Sequence, residues 1–167
     1  MNPLGDAALG NVNALKCELA GEVLRSSGRL WLGVGGWSML PTIWPGDTLA
    51  IERMAAGDVD TGDVVLFSRH GRLFVHRVIT PRSTVAEGFV LTQGDGMPRP
   101  DQAVKRSEVL GRVSFILRRG KRIDPRRSLQ FFEYFAAALV RRFYWAARIL
   151  AEVNTMRQQE QTIPCQK

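Results

Sequence analysis

Short apolar runs, separated at close intervals by a glycine beside a charged residue, constrain this chain more than any other feature. The runs are Thr48 to Ile51, Val64 to Phe67, Leu73 to Ile79, Phe89 to Thr92 and Val109 to Leu117. Each is rich in the β-branched, aromatic and aliphatic residues that suit a pleated, half-buried surface. Between them stand Gly46-Asp47, Gly57-Asp58, Gly62-Asp63, His70-Gly71-Arg72 and Gly94-Asp95. Turns this closely spaced leave no room for the crossover helices of a parallel sheet, so they predict a mainly β fold built on a strongly bent antiparallel sheet. The chain has no internal repeat of solenoid period and no low-complexity tract.

The flanks read differently. Ala7 to Leu24 has apolar residues at mixed three- and four-residue intervals, predicting a short amphipathic helix. From Ser128 to Val153 Phe131, Phe132, Phe135, Leu139, Phe143, Ile149 and Leu150 cover one broad side of a second helical pattern, with Glu133, Arg141, Arg148 and Glu152 near another face. The predicted organisation is an N-terminal helical extension (1–30), a β domain (31–117), a basic linker (118–127), an amphipathic helix (128–156) and a tail (157–167). A chain of 167 residues, 45% hydrophobic, suffices for one domain of ordinary size with elements left over at the ends.

The net charge of +7 is local: Lys105 to Arg127 holds nine Lys/Arg against two Asp/Glu, enough to account for the whole excess. Such a run faces solvent, nucleic acid or anionic lipid. Without a reading motif or a base-stacking surface it is weak ground for nucleic-acid binding. Cys17 and Cys165 have neither metal-ligand spacing nor the density of a disulfide framework. Asp6, Lys16, Glu18, Glu22, Arg25 and Arg29 interrupt any secretory h-region, and Arg141, Arg142 and Arg148 interrupt any span in the C-terminal pattern. The expected location is peripheral to a membrane or cytoplasmic, with an anionic membrane surface as a candidate partner of the C-terminal segment.

Candidate chemistry lies in two places. Gly35-Gly36-Trp37-Ser38-Met39-Leu40-Pro41-Thr42 frees the backbone at its glycines and forbids regular structure at Pro41 and Pro45, so Ser38 is expected on an irregular, open loop. His76, one of two histidines, lies in the apolar strand Phe74 to Ile79. A neutral imidazole, with an ordinary pKa of about 6.5, accepts a serine proton without the deep desolvation a lysine base requires, provided an acceptor fixes its other nitrogen.

Gly36 to Thr42, Gly62-Asp63-Val64-Val65-Leu66-Phe67, Val75-His76-Arg77-Val78-Ile79 and Gly94-Asp95 with Asp101 resemble, in order and spacing, the conserved boxes of the type I signal peptidases, over Gly33 to Leu117. The resemblance implies a serine endopeptidase on a bent β domain shared with LexA-like proteins, cleaving signal or leader peptides from precursors after small residues. Ser38 is then the nucleophile and its own N–H an oxyanion donor. His76 is the base, as in the archaeal and endoplasmic-reticulum type and unlike the usual bacterial lysine. Asp101, six residues after Asp95, is the acid of the triad, and Asp95 is structural. Met39 and Leu40 shape the pocket for the residue before the cut. Independently of the resemblance, Trp31, Trp37 and Trp44 flank Ser38 and read as lining a peptide groove, with an interfacial rim as the alternative. No metal or organic cofactor is implied. The chain departs from the family at Gly96, where an Asn is common, and the family's usual N-terminal anchor has no counterpart in the residues read.

Two other readings remain. A LexA-like self-cleaving regulator needs a DNA-binding module and normally a lysine base, and the residues before Ser38 are few for such a module. A non-catalytic peptide- or membrane-binding module has no chemical reason to keep Ser38, His76 and Asp101 together.

Overall fold

The computed structural model describes residues 3–55, 58–80 and 88–125, with side chains from residue 12 onward. Helix α1 (Pro3–Ser27) leads into β1 (Arg29–Gly33), β2 (Thr48–Arg53), β3 (Val64–Arg69) and β4 (Arg72–Val78). The short strands β5 (Phe89–Val90), β6 (Thr92–Gln93) and β7 (Val104–Lys105) follow, then a 3-10 turn at Arg106–Glu108, β8 (Val109–Arg118) and β9 (Lys121–Ile123). Seven strands form one sheet in the order β1-β2-β8-β3-β4-β6, with β9 paired to β8, while β5 and β7 make a separate ladder.

Every pairing among the described residues is antiparallel, as the turn spacing predicts. Gly46 and Gly62 adopt φ of 88° and 89°, a conformation costly for any side chain, and the aspartate after each folds back on the turn. Asp47 Oδ2 accepts from Trp44 N–H at 2.7 Å, and Asp63 Oδ2 accepts from Asp60 N–H at 3.0 Å.

The run Val64 to Phe67 shows no alternation because β3 is covered on both faces. Val64 and Leu66 join a core with Leu24, Met39, Ile43, Leu49, Ile51, Val113 and Ile116; Val65 and Phe67 join a second with Val59, Val78, Val90 and Val104. Bulges between Ala50 and Ile51, and between Leu66 and Phe67, bend the sheet around the first core. Antiparallel pairing at each step from β1 through β2, β8 and β3 to β4 makes β1 and β4 run in the same direction.

Three expectations change. The N-terminal helix runs from Pro3 to Ser27, beyond the expected Ala7 to Leu24, and packs on the β domain, where Leu24, 1% exposed, completes the core. The stretch Phe89 to Thr92 is two strands, since the chain changes partner at Leu91: its N–H donates to Thr80 Oγ1 at 2.6 Å and its carbonyl accepts from Ile79 N–H at 3.0 Å. Arg118 to Ile123 is no linker but the end of β8 turning back as β9. The predicted helix at 128–156 and the tail at 157–167 lie outside the described residues.

Candidate active site

The segment after β1 stays tied to the segment before β2, through Val34 N–H to Asp47 O at 2.9 Å and Gly46 N–H to Val34 O at 2.7 Å. Between these ties the chain makes a tight excursion whose Leu40–Pro41 peptide is cis. Ser38 stands at its rim. Ser38 O accepts from Gly96 N–H at 2.9 Å, and Gly94 lies so close that an added Cβ would fall 2.5 Å from Ser38 O and 3.2 Å from His76 Nε2.

His76 pairs with Val65 in the β3–β4 ladder and is 5% exposed, with Phe67 and Phe74 packed at 6.0 and 6.1 Å between ring centroids. Its Nε2 is 3.0 Å from Ser38 Oγ and its Nδ1 is 2.6 Å from Asp101 Oδ2. With Nδ1–H donating to the carboxylate, Nε2 presents its lone pair to the Ser38 hydroxyl, the arrangement a general base needs. Burial works against the Asp101 charge. Hydrogen bonds from His76 and Thr92, with the charges of His76 and Arg69, outweigh it and hold the carboxyl below its ordinary range.

Arg77 points to the other side of β4 and supports the loop from behind. Its Nε and Nη2 donate to the two Asp95 oxygens at 2.8 Å each, both side chains being buried, and Asp95 Oδ2 accepts from Thr42 Oγ1 at 2.5 Å. Arg118 adds a second brace, donating to Asp47 at 2.7 and 2.9 Å and to Thr42 O at 2.9 Å. Thus Asp95 holds the nucleophile loop, whereas Asp101 holds the histidine. Thr42, Asp47, Arg77, Thr92, Gly94 and Arg118 were not singled out in the sequence as parts of the site. Arg77 alone carried a readable signal, because a cation beside His76 in an apolar strand faces the opposite side and must find a carboxylate there.

A cleft of about 340 Å³ opens beside Ser38 and His76, walled by Leu32 to Gly36 on one side and Leu73 to Val75 on the other. Met39 and Ile43 contribute to its lining. Leu40, expected with Met39, is absent from the lining: both side chains are buried, but only that of Met39 borders the cleft. Nor do tryptophans line the cleft. Trp37 is half-buried outside the lining, Trp31 stands on the outer face against Phe115, and Trp44 Nε1 donates to Pro41 O at 2.8 Å. The Ser38 N–H has no hydrogen-bond partner among the described residues, and side chains at Gly35 and Gly36 would meet open space. Among the described residues no three His, Cys, Asp or Glu side chains converge as a metal-ligand set.

A bent antiparallel β domain with a Ser–His–Asp hydrogen-bonded chain at the mouth of an apolar cleft defines a serine-peptidase-like protein. The Peptidase S24-like family model matches residues 8–91, about half the chain, and the protein belongs to that family. The match takes in Ser38 and His76 and ends before Asp95 and Asp101. No curated protein matches the chain.

Proposed function

We propose that the protein is a serine endopeptidase in which Ser38 attacks, His76 takes and returns the proton, and Asp101 fixes the imidazole. The observation that carries this reading is the chain of contacts from Ser38 Oγ to His76 Nε2 (3.0 Å) and from His76 Nδ1 to Asp101 Oδ2 (2.6 Å) at the end of the cleft. Ser38 Oγ adds to the scissile carbonyl carbon as its proton passes to Nε2. The imidazolium protonates the leaving amine, and water then hydrolyses the acyl-enzyme through the same base. The developing oxyanion is received by backbone donors, the Ser38 N–H among them.

The cleft suits an extended substrate. Among the described residues β1 pairs only with β2, and β4 pairs with β6 only at Arg77 and Val78, so strand edges face the cleft from both walls. A peptide laid between them gains main-chain hydrogen bonds on both sides and brings a carbonyl to Ser38. Met39 and Ile43 floor the space and favour a small side chain before the cut. The histidine base and the similarity to signal peptidases favour leader or signal peptides of precursor proteins as substrates.

Mass spectrometry of a leader peptide with small residues at the cut, incubated with wild type and Ser38→Ala, tests the reading; equal turnover by the two overturns it. The segment beyond the β8–β9 hairpin, residues 126–167, serves as a peripheral attachment, with its cations each worth roughly 1 kcal/mol at an anionic surface. Removal of residues 126–167 should abolish sedimentation with anionic liposomes and spare cleavage of a short soluble peptide. No helix among the described residues is long and apolar enough to cross a membrane.

A further inference from the structure

Thr92 is fully buried, yet its hydroxyl donates to Asp101 Oδ2 at 2.7 Å, the same oxygen that accepts from His76 Nδ1. Its carbonyl accepts from Asp101 N–H at 2.8 Å. One residue of β6 therefore grips Asp101 at both backbone and carboxylate. This matters because Asp101 sits on a loop with no ladder of its own, only partly buried and following Pro98 and Pro100. A carboxylate so placed turns freely about its last torsion unless a second contact fixes which oxygen meets the imidazole.

Arg69 holds the same loop downstream, donating to Gln102 O at 3.0 Å and to Ala103 O. That contact fixes the backbone after Asp101 but leaves the carboxylate torsion free, so Thr92 alone supplies the side-chain restraint among the contacts described.

The geometry points to Thr92 as a positioning residue of the Ser38–His76–Asp101 chain, locking Asp101 Oδ2 onto His76 Nδ1 so that Nε2 stays aimed at Ser38. The inference rests on the proposed peptidase reading. Replacing a buried threonine that serves packing alone by valine, which is close to it in shape and lacks its donor, would leave turnover intact; replacing a positioning threonine would not.

Thr92→Val should lower kcat about tenfold with KM within about twofold, because orientation of the base is lost while the cleft is untouched. Thr92→Ser, which keeps the donor, should restore kcat to within about twofold of wild type. In an Asp101→Asn background Thr92→Val should cost little further, since the group it positions has changed. Thr92→Ala serves in the same cycle where the valine variant folds poorly. Wild-type kcat in Thr92→Val, serine and valine equally impaired, or full additivity with Asp101→Asn each overturns the inference.

An independent readout uses the inactive protein. In Ser38→Ala the low-field NMR resonance of His76 Hδ1 should persist, and Thr92→Val in that background should broaden or abolish it. A sharp, unshifted resonance refutes the positioning role. Equal cleavage by wild type and Ser38→Ala, with the NMR response as expected, would instead refute the peptidase reading and leave the Thr92 contact standing.

Discussion

Gly94→Ala probes how tightly the nucleophile and base are held. An added Cβ would lie 2.5 Å from Ser38 O, 2.8 Å from Met97 Cγ and 3.2 Å from His76 Nε2. Met97 can swing away, but the Ser38 carbonyl is backbone and bonded to Gly96 N–H at 2.9 Å. Restoring ordinary contact at 3.4 Å requires the carbonyl and Cβ to separate by about 0.9 Å, and the attacking oxygen follows the loop. Overpacking of this kind costs about 1–3 kcal/mol of stability. A displacement approaching 1 Å at the reacting atoms costs on the order of 100-fold in rate. The control is Gly111→Ala in β8, whose Cβ would fall 2.5 Å from Glu52 O, away from the cleft lining. Both variants should lower the thermal midpoint, and only Gly94→Ala should lower kcat of the folded enzyme and slow labelling by a serine-directed fluorophosphonate. Equal loss of activity per kcal/mol in the two variants, or an unimpaired Gly94→Ala, would refute the reasoning.

Ser38→Ala and His76→Ala should each remove nearly all turnover, and the double variant should be scarcely worse, because the two act as one proton-transfer unit. Asp95→Asn should act on stability, by about 3–5 kcal/mol in urea titration, because it leaves the Arg77 charge buried without its counter-charge; Asp101→Asn should act mainly on kcat. Asp101 also has a pH signature. Its carboxyl is held below its ordinary value, so its stabilising share is complete above the unfolded pKa of about 3.9 and is lost as pH falls through the lower folded value. Stability of wild type should therefore fall more steeply than that of Asp101→Asn below about pH 4 in denaturant midpoints, and parallel curves would count against it.

Much of the strand layout could be read from the sequence, because glycine-acid turns and β-branched runs are local signals. What escaped depended on partners distant in the chain. Nothing local says that Val90 pairs with Val104 while Thr92 pairs with Val78, so the run Phe89 to Thr92 read as one strand. The approach of Ser38, His76 and Asp101 was legible because Ser38 and His76 sit in short motifs and Asp101 at a set offset from a third; the pairing of Arg77 with Asp95 and Thr42 was not, because only the bent sheet brings them together. The tryptophan groove was misread against an available signal. In β1 the even positions Leu30 and Leu32 turn inward, which places Trp31 outside.

His76 and Arg77 are consecutive residues of β4, one reaching toward the chemistry and the other toward the struts beneath it. On the proposed peptidase reading, competence is thereby tied to an intact molecule. If β4 detaches, the base leaves the nucleophile and the nucleophile loop loses its anchor in the same event. On that reading a half-folded chain, fresh from synthesis or fraying under stress, is inert, and the alternation of a single strand removes the hazard of a loose, indiscriminate protease.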